Sequence, residues 1–246
     1  VVKIDRAYDE NSIEVKEGLE HVRTRPGMYV GDTGLNGLHQ LLYEAVDNAI
    51  DEAMAGHCRN IVVRIEKDGS AFVGDDGRGI PVGIHAKEGV STLTLVMTNL
   101  GAGGKCTKQG YNHSGGLHGV GISVTNALSE WMNVEVHRDG KSWKQSFSRG
   151  KPTTGLVELG PSDRKGTFIS FMPDALVFRS ENRETNETVV HTFSQQILAN
   201  RLRELAFLNR GVSITFADER DGAKEVFHYE GGDRKSTRLN SSHRIR

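Results

Sequence analysis

The sequence of 246 residues predicts an α+β fold, in which helices cover one face of a largely antiparallel sheet. Patterns typical of helices cluster in the first half of the chain, whereas strand patterns dominate the second half. Asp-Gly pairs at 68–69, 139–140 and 221–222 separate strand patterns and are typical of hairpin turns. Because hairpins join neighbouring antiparallel strands, the sheet is expected to be mostly antiparallel, with the helices forming a second layer.

The composition is that of a globular protein, with 36% hydrophobic and 26% charged residues. The length allows one substantial core. No apolar run approaches the roughly 20 residues of a membrane-spanning helix, and the first residues lack the apolar stretch of a signal peptide. The two cysteines, Cys58 and Cys106, are too few for a disulfide framework or a zinc site, so a reducing cytoplasm is expected.

The charge is unevenly distributed along the chain. The net charge is −1, and the segment 233–246, with five Lys or Arg and one Asp, contributes +4, so the segment 1–232 carries −5. An acidic body of this kind does not resemble an unaided DNA-binding surface. Any polyanion that it binds must meet a local concentration of positive charge.

In the first half, an extended arm is expected to lead into a short helix within residues 1–20. A loop over residues 23–34 follows, where Pro26-Gly27 interrupts any helix. The patterns then predict a helix over 38–55, strands over 61–66 and 70–75, and helices over 89–100 and 120–130.

In the second half, most of the patterns are those of strands. The predicted strands are 133–138, 142–148, 155–159, 167–171, 212–217 and 225–229. A helix over about residues 189–209 lies between the strands 167–171 and 212–217. The polar segment 179–188 is expected to be an exposed loop or insertion.

The predicted helix 38–55 has an unusual acidic stripe. Residues 38–56 contain four acids and no Lys or Arg. The stripe, within about 140° on the helix, consists of Glu44, Asp47, Asn48, Asp51 and Glu52. A solvated surface face is one interpretation, but such faces usually mix charge signs, because like charges at i,i+4 repel. The alternative is a site for an external cation or for a water molecule that needs a base.

Two glycine-rich stretches are candidate ligand sites. SGGLHGVG at 114–121 leads into a helix pattern, and free backbone N–H groups at such a point can hold phosphate. VGDDGRGIP at 73–81 places a carboxylate at a strand end, where it can lie against a flat ring. Taken alone, the first stretch could be a structural connector and the second an Asp-Gly turn.

Four motifs occur in a fixed order: EAVDNAIDEA at 44–53, DDGRGIP at 75–81, GGLHGVG at 115–121 and KGT at 165–167. This order resembles the Bergerat-type ATPases, which include gyrase, MutL, sensor histidine kinases and the large heat-shock chaperones. The agreement is closest to the gyrase B subunits of type II topoisomerases, followed by ParE. The resemblance implies a Bergerat-type two-layer sandwich, divided into a dimerisation arm (1–20), an ATP-binding domain (21–232) and a basic tail (233–246).

The resemblance implies a role for each matching residue. Glu44 would be the general base that activates water, and Asn48 would coordinate Mg²⁺. Asp75 would accept from the adenine amine, with Thr167 joined to it through water. The residues implied to lie around the nucleotide or to line the mouth of the site, where aminocoumarin inhibitors of the family bind, are Asp51, Arg78, Gly79, Ile80, Pro81 and Arg138.

The remaining implied contacts belong to the apolar walls, the lid and the arm. The walls would be Val73, Ile80, Met97, Ile122 and Ile169, although each could equally be ordinary core. The lid holding the triphosphate would include Gly104, Lys105, Tyr111, Gly116, Leu117, His118, Gly119, Val120 and Gly121. Tyr8 and Ile13 match the arm that crosses to the other protomer in ATP-bound dimers.

Two departures from the family pattern are expected to matter. The gyrase B and ParE proteins have a His one turn before the catalytic Glu, whereas this chain has Gln40, with His39 displaced by about 100° around the helix. This places the support of the base in question and predicts slow hydrolysis. The tail 233–246 resembles nothing in the family, and we interpret it as cloning-derived or disordered in preference to a nucleic-acid-binding tail.

The implied function is an ATP-binding and ATP-hydrolysing domain whose ATP-driven dimer closure powers DNA strand passage and negative supercoiling. The implied cofactors are ATP and Mg²⁺. The implied partners are duplex DNA and the gyrase A protein, both through downstream domains, a second copy of the chain, and aminocoumarin inhibitors, in the bacterial cytoplasm. Without a transducer domain, the isolated domain is expected to hydrolyse ATP very slowly. The alternative is a nucleotide-gated clamp of the MutL or chaperone type.

Overall fold

The computed structural model describes residues 18–102, 121–181 and 187–230. The helices are α1 (Gly18–Thr24), α2 (Gly27–Val30), α3 (Leu35–Met54), α4 (Thr92–Thr98), α5 (Gly121–Ala127) and α6 (Gln195–Leu208). The strands are β1 (Asn60–Ile65), β2 (Ala71–Asp75), β3 (Ser129–Arg138), β4 (Lys141–Ser148), β5 (Lys151–Pro152), β6 (Val157–Pro161), β7 (Gly166–Pro173), β8 (Arg179–Glu181), β9 (Thr188–Val190), β10 (Ser213–Asp218) and β11 (Ala223–His228). Within these described ranges, no helix has both the length and the apolarity needed to span a membrane.

Nine strands form one sheet in the order β11-β10-β1-β2-β7-β3-β4-β5, with β6 paired to β4. The three hairpins expected from the Asp-Gly pairs are confirmed, as β1–β2, β3–β4 and β10–β11 are all antiparallel. The pairing of β1 with β10 is parallel, so the sheet is mixed. The sheet is therefore largely antiparallel, as predicted.

One face of the sheet is buried under the helices. A row of directly paired residues crosses four strands on this face, namely Val134, Ile169, Val73 and Val63. All four side chains belong to the main hydrophobic core. Full burial of an aliphatic side chain contributes about 1.5–3 kcal/mol, so such rows hold the two layers together. The predicted two-layer α+β arrangement is confirmed.

Helix α3 begins earlier than predicted, because Asp32 organises its first turn. Oδ1 of Asp32 accepts hydrogen bonds from the backbone N–H groups of Gly34 and Gly37, at 2.8 and 3.0 Å. The Gly37 bond is the main reason that the pKa of Asp32 lies below its ordinary value. A Cβ on Gly37 would overlap the Asp32 carbonyl, so a glycine is required at this position. The helix ends at Met54 and is followed by Gly56, whose φ is +80°.

Two predicted segments differ in the structure. The expected loop 23–34 contains the short helix α2, because Pro26, with φ −59°, already has a helical backbone and can start a helix. The expected helix 189–209 begins only at Gln195, after Ser194. The preceding Thr188–Val190 instead pairs with Arg179–Glu181 as a small two-stranded sheet. β-Branched residues favour the strand there. The segment predicted as an exposed loop or insertion at 179–188 is exposed at Arg179–Glu181 and Thr188, but these residues form strands and not a loop.

Helix α5 is fixed to its neighbours by two buried side-chain hydrogen bonds. Oγ1 of Thr125 donates to the carbonyl of Leu41 in α3, at 3.1 Å. Nδ2 of Asn126 donates to the carbonyl of Met97 in α4, at 2.9 Å. Each bond satisfies a buried polar group, and together they place the beginning of α5 beside the acidic stripe of α3.

Candidate functional site

The acidic stripe of α3 lies inward and at the edge of the core. Glu44, Asp47, Asn48 and Glu52 are half-buried, and Asp51 is 1% exposed. None of the five is an exposed side chain, so the stripe is not a freely solvated surface face. Partly buried carboxylates are costly unless they have partners or a ligand, which makes this stripe the core of the candidate site.

Glu44 is held by a neutral side chain one turn earlier on α3. Nε2 of Gln40 donates to Oε1 of Glu44 at 2.7 Å. The other oxygen, Oε2, lies against Gly121 at the beginning of α5, where a Cβ would overlap the carboxylate. A glycine at 121 is therefore needed for this approach. The two oxygens have different surroundings, with Oε1 bonded to the amide and Oε2 facing the helix that follows the predicted phosphate loop.

His39 forms its hydrogen bonds with Leu35 and Ser194, and not with the Glu44 carboxylate. It is 1% exposed, and its Nδ1 lies 2.6 Å from the carbonyl of Leu35, to which it donates. Its Nε2 accepts the backbone N–H of Ser194 at 3.0 Å. The ring also packs edge-on against Phe193, with centroids 5.7 Å apart. His39 thus connects α3 to the segment before α6, and Gln40 occupies the position beside Glu44.

Arg78 is a basic partner for Glu52 in the acidic stripe, and α3 itself contains no Lys or Arg. Its Nη2 and Nε donate to the two carboxylate oxygens of Glu52, at 2.8 and 3.0 Å. The backbone N–H of Arg78 also donates to Glu52, at 3.1 Å. This two-point pairing joins the loop after β2 to α3. Residues 38–56 contain no Lys or Arg, but Glu52 nevertheless has a basic partner from another part of the chain.

Asp75 lies at the end of β2, and its carboxylate is constrained by two backbone donors. Oδ1 accepts from the N–H groups of Gly77 at 2.8 Å and Thr167 at 3.4 Å. Burial raises the pKa of Asp75 to about 6, although both hydrogen bonds act to lower it. Asp75 is half-buried, and a partly desolvated carboxylate with a pKa this high is a frequent feature of functional sites.

The backbone around Asp75 is unusually close-packed. A Cβ on Gly166 would overlap the carbonyl of Asp75, and one on Gly79 would lie 2.9 Å from the carbonyl of His137. The N–H of Ile80 donates to Oγ1 of Thr167 at 3.3 Å. Nη1 of Arg138 donates to the carbonyl of Gly79 at 2.9 Å. The structure thus brings the predicted residues from 75–80, 138 and 167 together at one end of the site.

The predicted apolar walls divide into two groups. Val73, Met97, Ile122 and Ile169 are buried members of the main core. Ile80 is half-buried and packs against that core, and Pro81 is exposed. Contact of these side chains with a nucleotide stays a prediction, because membership of the core explains their burial equally well.

Some predicted site residues lie outside the described residues. They are Tyr8, Ile13, Gly104, Lys105, Tyr111, Gly116, Leu117, His118, Gly119 and Val120. Sequence reasoning missed the pairing of Glu52 with Arg78 and the close approach at Gly77 and Gly166. The glycine of the KGT motif was the one available signal for Gly166, since a conformation with φ +123° favours glycine.

Comparison with known proteins gives three consistent similarities. Residues 34–176 match the family of histidine kinase-, DNA gyrase B- and HSP90-like ATPases. The chain is 53% identical over 225 residues to the DNA gyrase B protein of Thermotoga maritima, covering 92% of this chain and 34% of that protein. It is 54% identical over 225 residues to the DNA gyrase B protein of Clostridium acetobutylicum, with the same coverage. The chain thus spans about a third of the length of these curated relatives.

The fold is also similar to a solved structure. The 43K ATPase domain of Thermus thermophilus gyrase B, in complex with an aminocoumarin, matches with a TM-score of 0.74 and 41% sequence identity. The match covers 87% of this chain and 52% of that chain.

Proposed function

The chain belongs to the family of histidine kinase-, DNA gyrase B- and HSP90-like ATPases, and we propose that it is the ATP-binding and ATP-hydrolysing domain of a gyrase-type DNA topoisomerase. The observation that carries the proposal is a pair of positioned carboxylates connected through α3. Glu44 is oriented by Gln40, and the half-buried Asp75 lies near Glu52, which is two turns further along the same helix. A positioned base and a half-buried acceptor are the groups needed for hydrolysis and for reading a purine ring.

Asp75 would recognise the adenine. Both of its backbone hydrogen bonds reach Oδ1, so we assign Oδ2 to the exocyclic amine, which donates to an ionised carboxylate. Gly79 and Gly166 pack tightly against neighbouring carbonyls, which fixes the backbone on either side of Asp75. Thr167 would complete this end, because its hydroxyl accepts from Ile80 and its backbone N–H donates to Asp75.

Glu44 would activate the attacking water. Oε1 is engaged by Gln40, so Oε2, which faces Gly121, is the oxygen that takes the proton. The water oxygen would then bond to the γ-phosphorus while the bond from that phosphorus to the ADP oxygen breaks. Because the carboxylate is held before the substrate arrives, little of the barrier is spent on orienting the base.

The donor set of α3 also fits Mg²⁺. This ion prefers oxygen ligands and is usually held by one or two protein side chains together with phosphates and water. Asn48 offers an amide oxygen one turn after Glu44 on the same half-buried stripe. When bound, the ion would neutralise charge on the phosphates. Within the described residues no group of three or more His, Cys, Asp or Glu converges as a metal site.

In the whole protein, ATP binding would close a dimer of this domain and drive DNA strand passage together with the gyrase A protein. Aminocoumarins would compete with ATP near Arg138, which lies at the rim beside Gly79. The second candidate is a nucleotide-gated clamp of the MutL or chaperone type, which the family also contains. The identities of 53% and 54% to gyrase B proteins favour the topoisomerase.

A chimera tests this proposal. The full chain would replace the matching segment of the Thermotoga maritima gyrase B protein and be mixed with the gyrase A protein and relaxed circular DNA. We expect ATP-dependent negative supercoiling, and none from the same chimera carrying Glu44→Ala. Dimer closure and ATP turnover without supercoiling would favour the clamp instead.

A further inference from the structure

We propose that Glu135, His137 and Ser162, here called the outer clamp, position the adenine end of the nucleotide site from the opposite face of the sheet. The inference rests on the function proposed above. It assigns a role in nucleotide affinity to three side chains that do not touch the nucleotide.

The outer clamp is a continuous hydrogen-bonded chain. His137 is 5% exposed, and its Nε2 lies 2.6 Å from Oε1 of Glu135. Its Nδ1 lies 2.6 Å from Oγ of Ser162. Because a carboxylate accepts, Nε2 of the ring donates to Glu135, and Nδ1 forms the second hydrogen bond with the Ser162 hydroxyl. The ring also packs edge-on against Phe168, with centroids 5.2 Å apart and an interplanar angle of 84°.

The backbone of His137 touches the adenine end directly. His137 is the β3 residue paired with Gly166, the first residue of β7. Its carbonyl would lie 2.9 Å from a Cβ on Gly79, so the two backbones are already in contact. The next residue, Arg138, donates to the carbonyl of Gly79. Any shift of β3 at His137 would therefore move both Gly79 and Gly166.

Ser162 holds the segment that precedes β7 in place through two hydrogen bonds. Its N–H donates to the carbonyl of Gly140 at 2.9 Å, and its Oγ accepts the N–H of Arg164 at 3.2 Å. The Arg164 guanidinium lies over Phe168, 4.4 Å from the ring centroid. These contacts fix residues 162–165, which lead directly into Gly166 and Thr167.

The bond from the Thr167 N–H to Asp75 is 3.4 Å long, close to the limit of a hydrogen bond, so a small shift of Thr167 would remove it. Loss of the outer clamp would allow such a shift. The carboxylate that reads the adenine would then lose one of its two backbone donors, and its orientation would be less well fixed.

The order Glu–His–Ser is also that of a nucleophilic triad, but the surroundings oppose that role. Oγ of Ser162 is occupied by the N–H of Arg164 as well as by the ring. His137 is almost fully buried against Phe168. A substrate would have no approach to the basic nitrogen, whereas a positioning role requires only that the chain of contacts stays closed.

A matched hydrogen bond on the same face of the sheet supplies a control. Oγ of Ser146 lies 2.6 Å from Oδ1 of Asn133, four residues before His137 on β3. In the register of the sheet Asn133 pairs with Ser146 and Ser170. Removal of this bond should affect stability about as much as removal of the Ser162 bond, without disturbing Gly79, Gly166 or Thr167.

The experiment compares the variants Ser162→Ala, His137→Ala and Ser146→Ala with the unmodified full chain. The dissociation constant for ATP with Mg²⁺ is measured by calorimetry, and the melting temperature by circular dichroism. We expect the first two variants to bind ATP about fivefold to tenfold more weakly, since each loses a positioning hydrogen bond. Ser146→Ala should bind within twofold of the unmodified chain, with a similar fall in melting temperature.

A second readout separates positioning from general damage. In the gyrase chimera, Ser162→Ala should raise KM for ATP with kcat unchanged at saturating ATP, because the base at Glu44 is untouched. If all three variants bind ATP as tightly as the unmodified chain does, the proposed positioning role of the outer clamp is wrong, although the chain still binds ATP. Failure of the unmodified chain to bind ATP would overturn the proposed function, and the clamp with it.

Discussion

In this structure, Nε2 of Gln40 donates a 2.7 Å hydrogen bond to Oε1 of Glu44, one turn further along α3. The family pattern has a His at the Gln40 position, and slow hydrolysis was expected from its absence. The structure shows that the carboxylate nevertheless has a donor at this position. An amide does not titrate between pH 5 and 8 as an imidazole does, so the orientation of Glu44 should not depend on pH in this range.

Replacement of Glu44 tests its role as the base. Glu44→Ala in the gyrase chimera should lower kcat by about 10²–10⁴-fold, the usual contribution of general acid–base catalysis. ATP affinity should change by no more than about threefold, since a base acts chiefly in the transition state. Steady-state kinetics and calorimetry measure the two quantities. Undiminished turnover would show that another group takes the proton.

Replacement of Gln40 tests its role as the orienting group. Gln40→Leu should lower kcat about fivefold with unchanged ATP affinity, because one positioning hydrogen bond of about 1 kcal/mol is lost. Gln40→His should retain activity above pH 7 and acquire a new pH dependence near pH 6.5. The measurement is kcat across pH 5.5–8.5, and a flat profile for Gln40→His would contradict this account.

Asp75→Asn should separate affinity from stability. The amide places a donor opposite the adenine amine, so ATP should bind about 10–100-fold more weakly. The pKa of Asp75 is about 6, so removal of this half-buried charge should raise the free energy of unfolding at pH 7 by about 1–3 kcal/mol. Calorimetry and urea unfolding give the two values. Unchanged ATP affinity would show that Asp75 does not bind the adenine and serves only in the turn after β2.

The raised pKa of Asp75 predicts opposite effects of pH on stability and on ATP binding. The folded chain holds the Asp75 proton more tightly than the unfolded chain does, because the pKa is about 6 and not 3.8. The stabilising contribution of this proton is therefore complete below about pH 3.8 and lost as pH rises through about 6. ATP binding needs the ionised form and should weaken as pH falls below 6.

The Asp75→Asn variant isolates these effects from other titrating groups. The difference in free energy of unfolding between the variant and the unmodified chain should grow as pH rises from 4 to 7. The ATP affinity of the variant should lack the pH dependence that Asp75 contributes, and should keep only the dependence that comes from the ATP itself. Parallel curves for the two proteins would show that Asp75 does not titrate near pH 6.

Gly121→Ala should lower ATP hydrolysis, because the added methyl group would clash with Glu44. A Cβ at position 121 would overlap the Glu44 carboxylate, so either the side chain or the beginning of α5 must move. We expect kcat to fall at least tenfold, as catalytic groups must be held within about 0.5 Å. Gly155→Ala is the matched control, because a Cβ there meets nothing within 4 Å. Equal activity of the two variants would contradict the contact.

Local sequence signals predicted much of the fold. Asp-Gly pairs marked the hairpins, and hydrophobic periodicity identified α3 and α6, because both depend on residues close together in the chain. The parallel pairing of β1 with β10 has no such signal, since their first paired residues are Asn60 and Ser213. The hairpin of β8 and β9 was missed because its strands have only three residues each.

The site shows the same division. Glu44 and Asp75 stand in motifs with a chemical rationale, and the structure gives each carboxylate defined hydrogen-bond donors, while their roles stay predictions. The partner of Glu52 could not be predicted, because Arg78 follows 26 residues later and meets it only in three dimensions. His39 and Gln40 are adjacent in sequence and therefore lie about 100° apart around α3. This difference in direction places Gln40 beside Glu44 and buries His39.

The most direct test of the central claim is calorimetric titration of the full chain with ATP and Mg²⁺, using GTP as the matched nucleotide. Asp75 accepts from an amine on adenine, whereas guanine presents a carbonyl acceptor at the corresponding ring position. We predict one ATP bound per chain, with an affinity at least tenfold above that for GTP. Equal affinities for ATP and GTP, or no binding of ATP, would contradict the account.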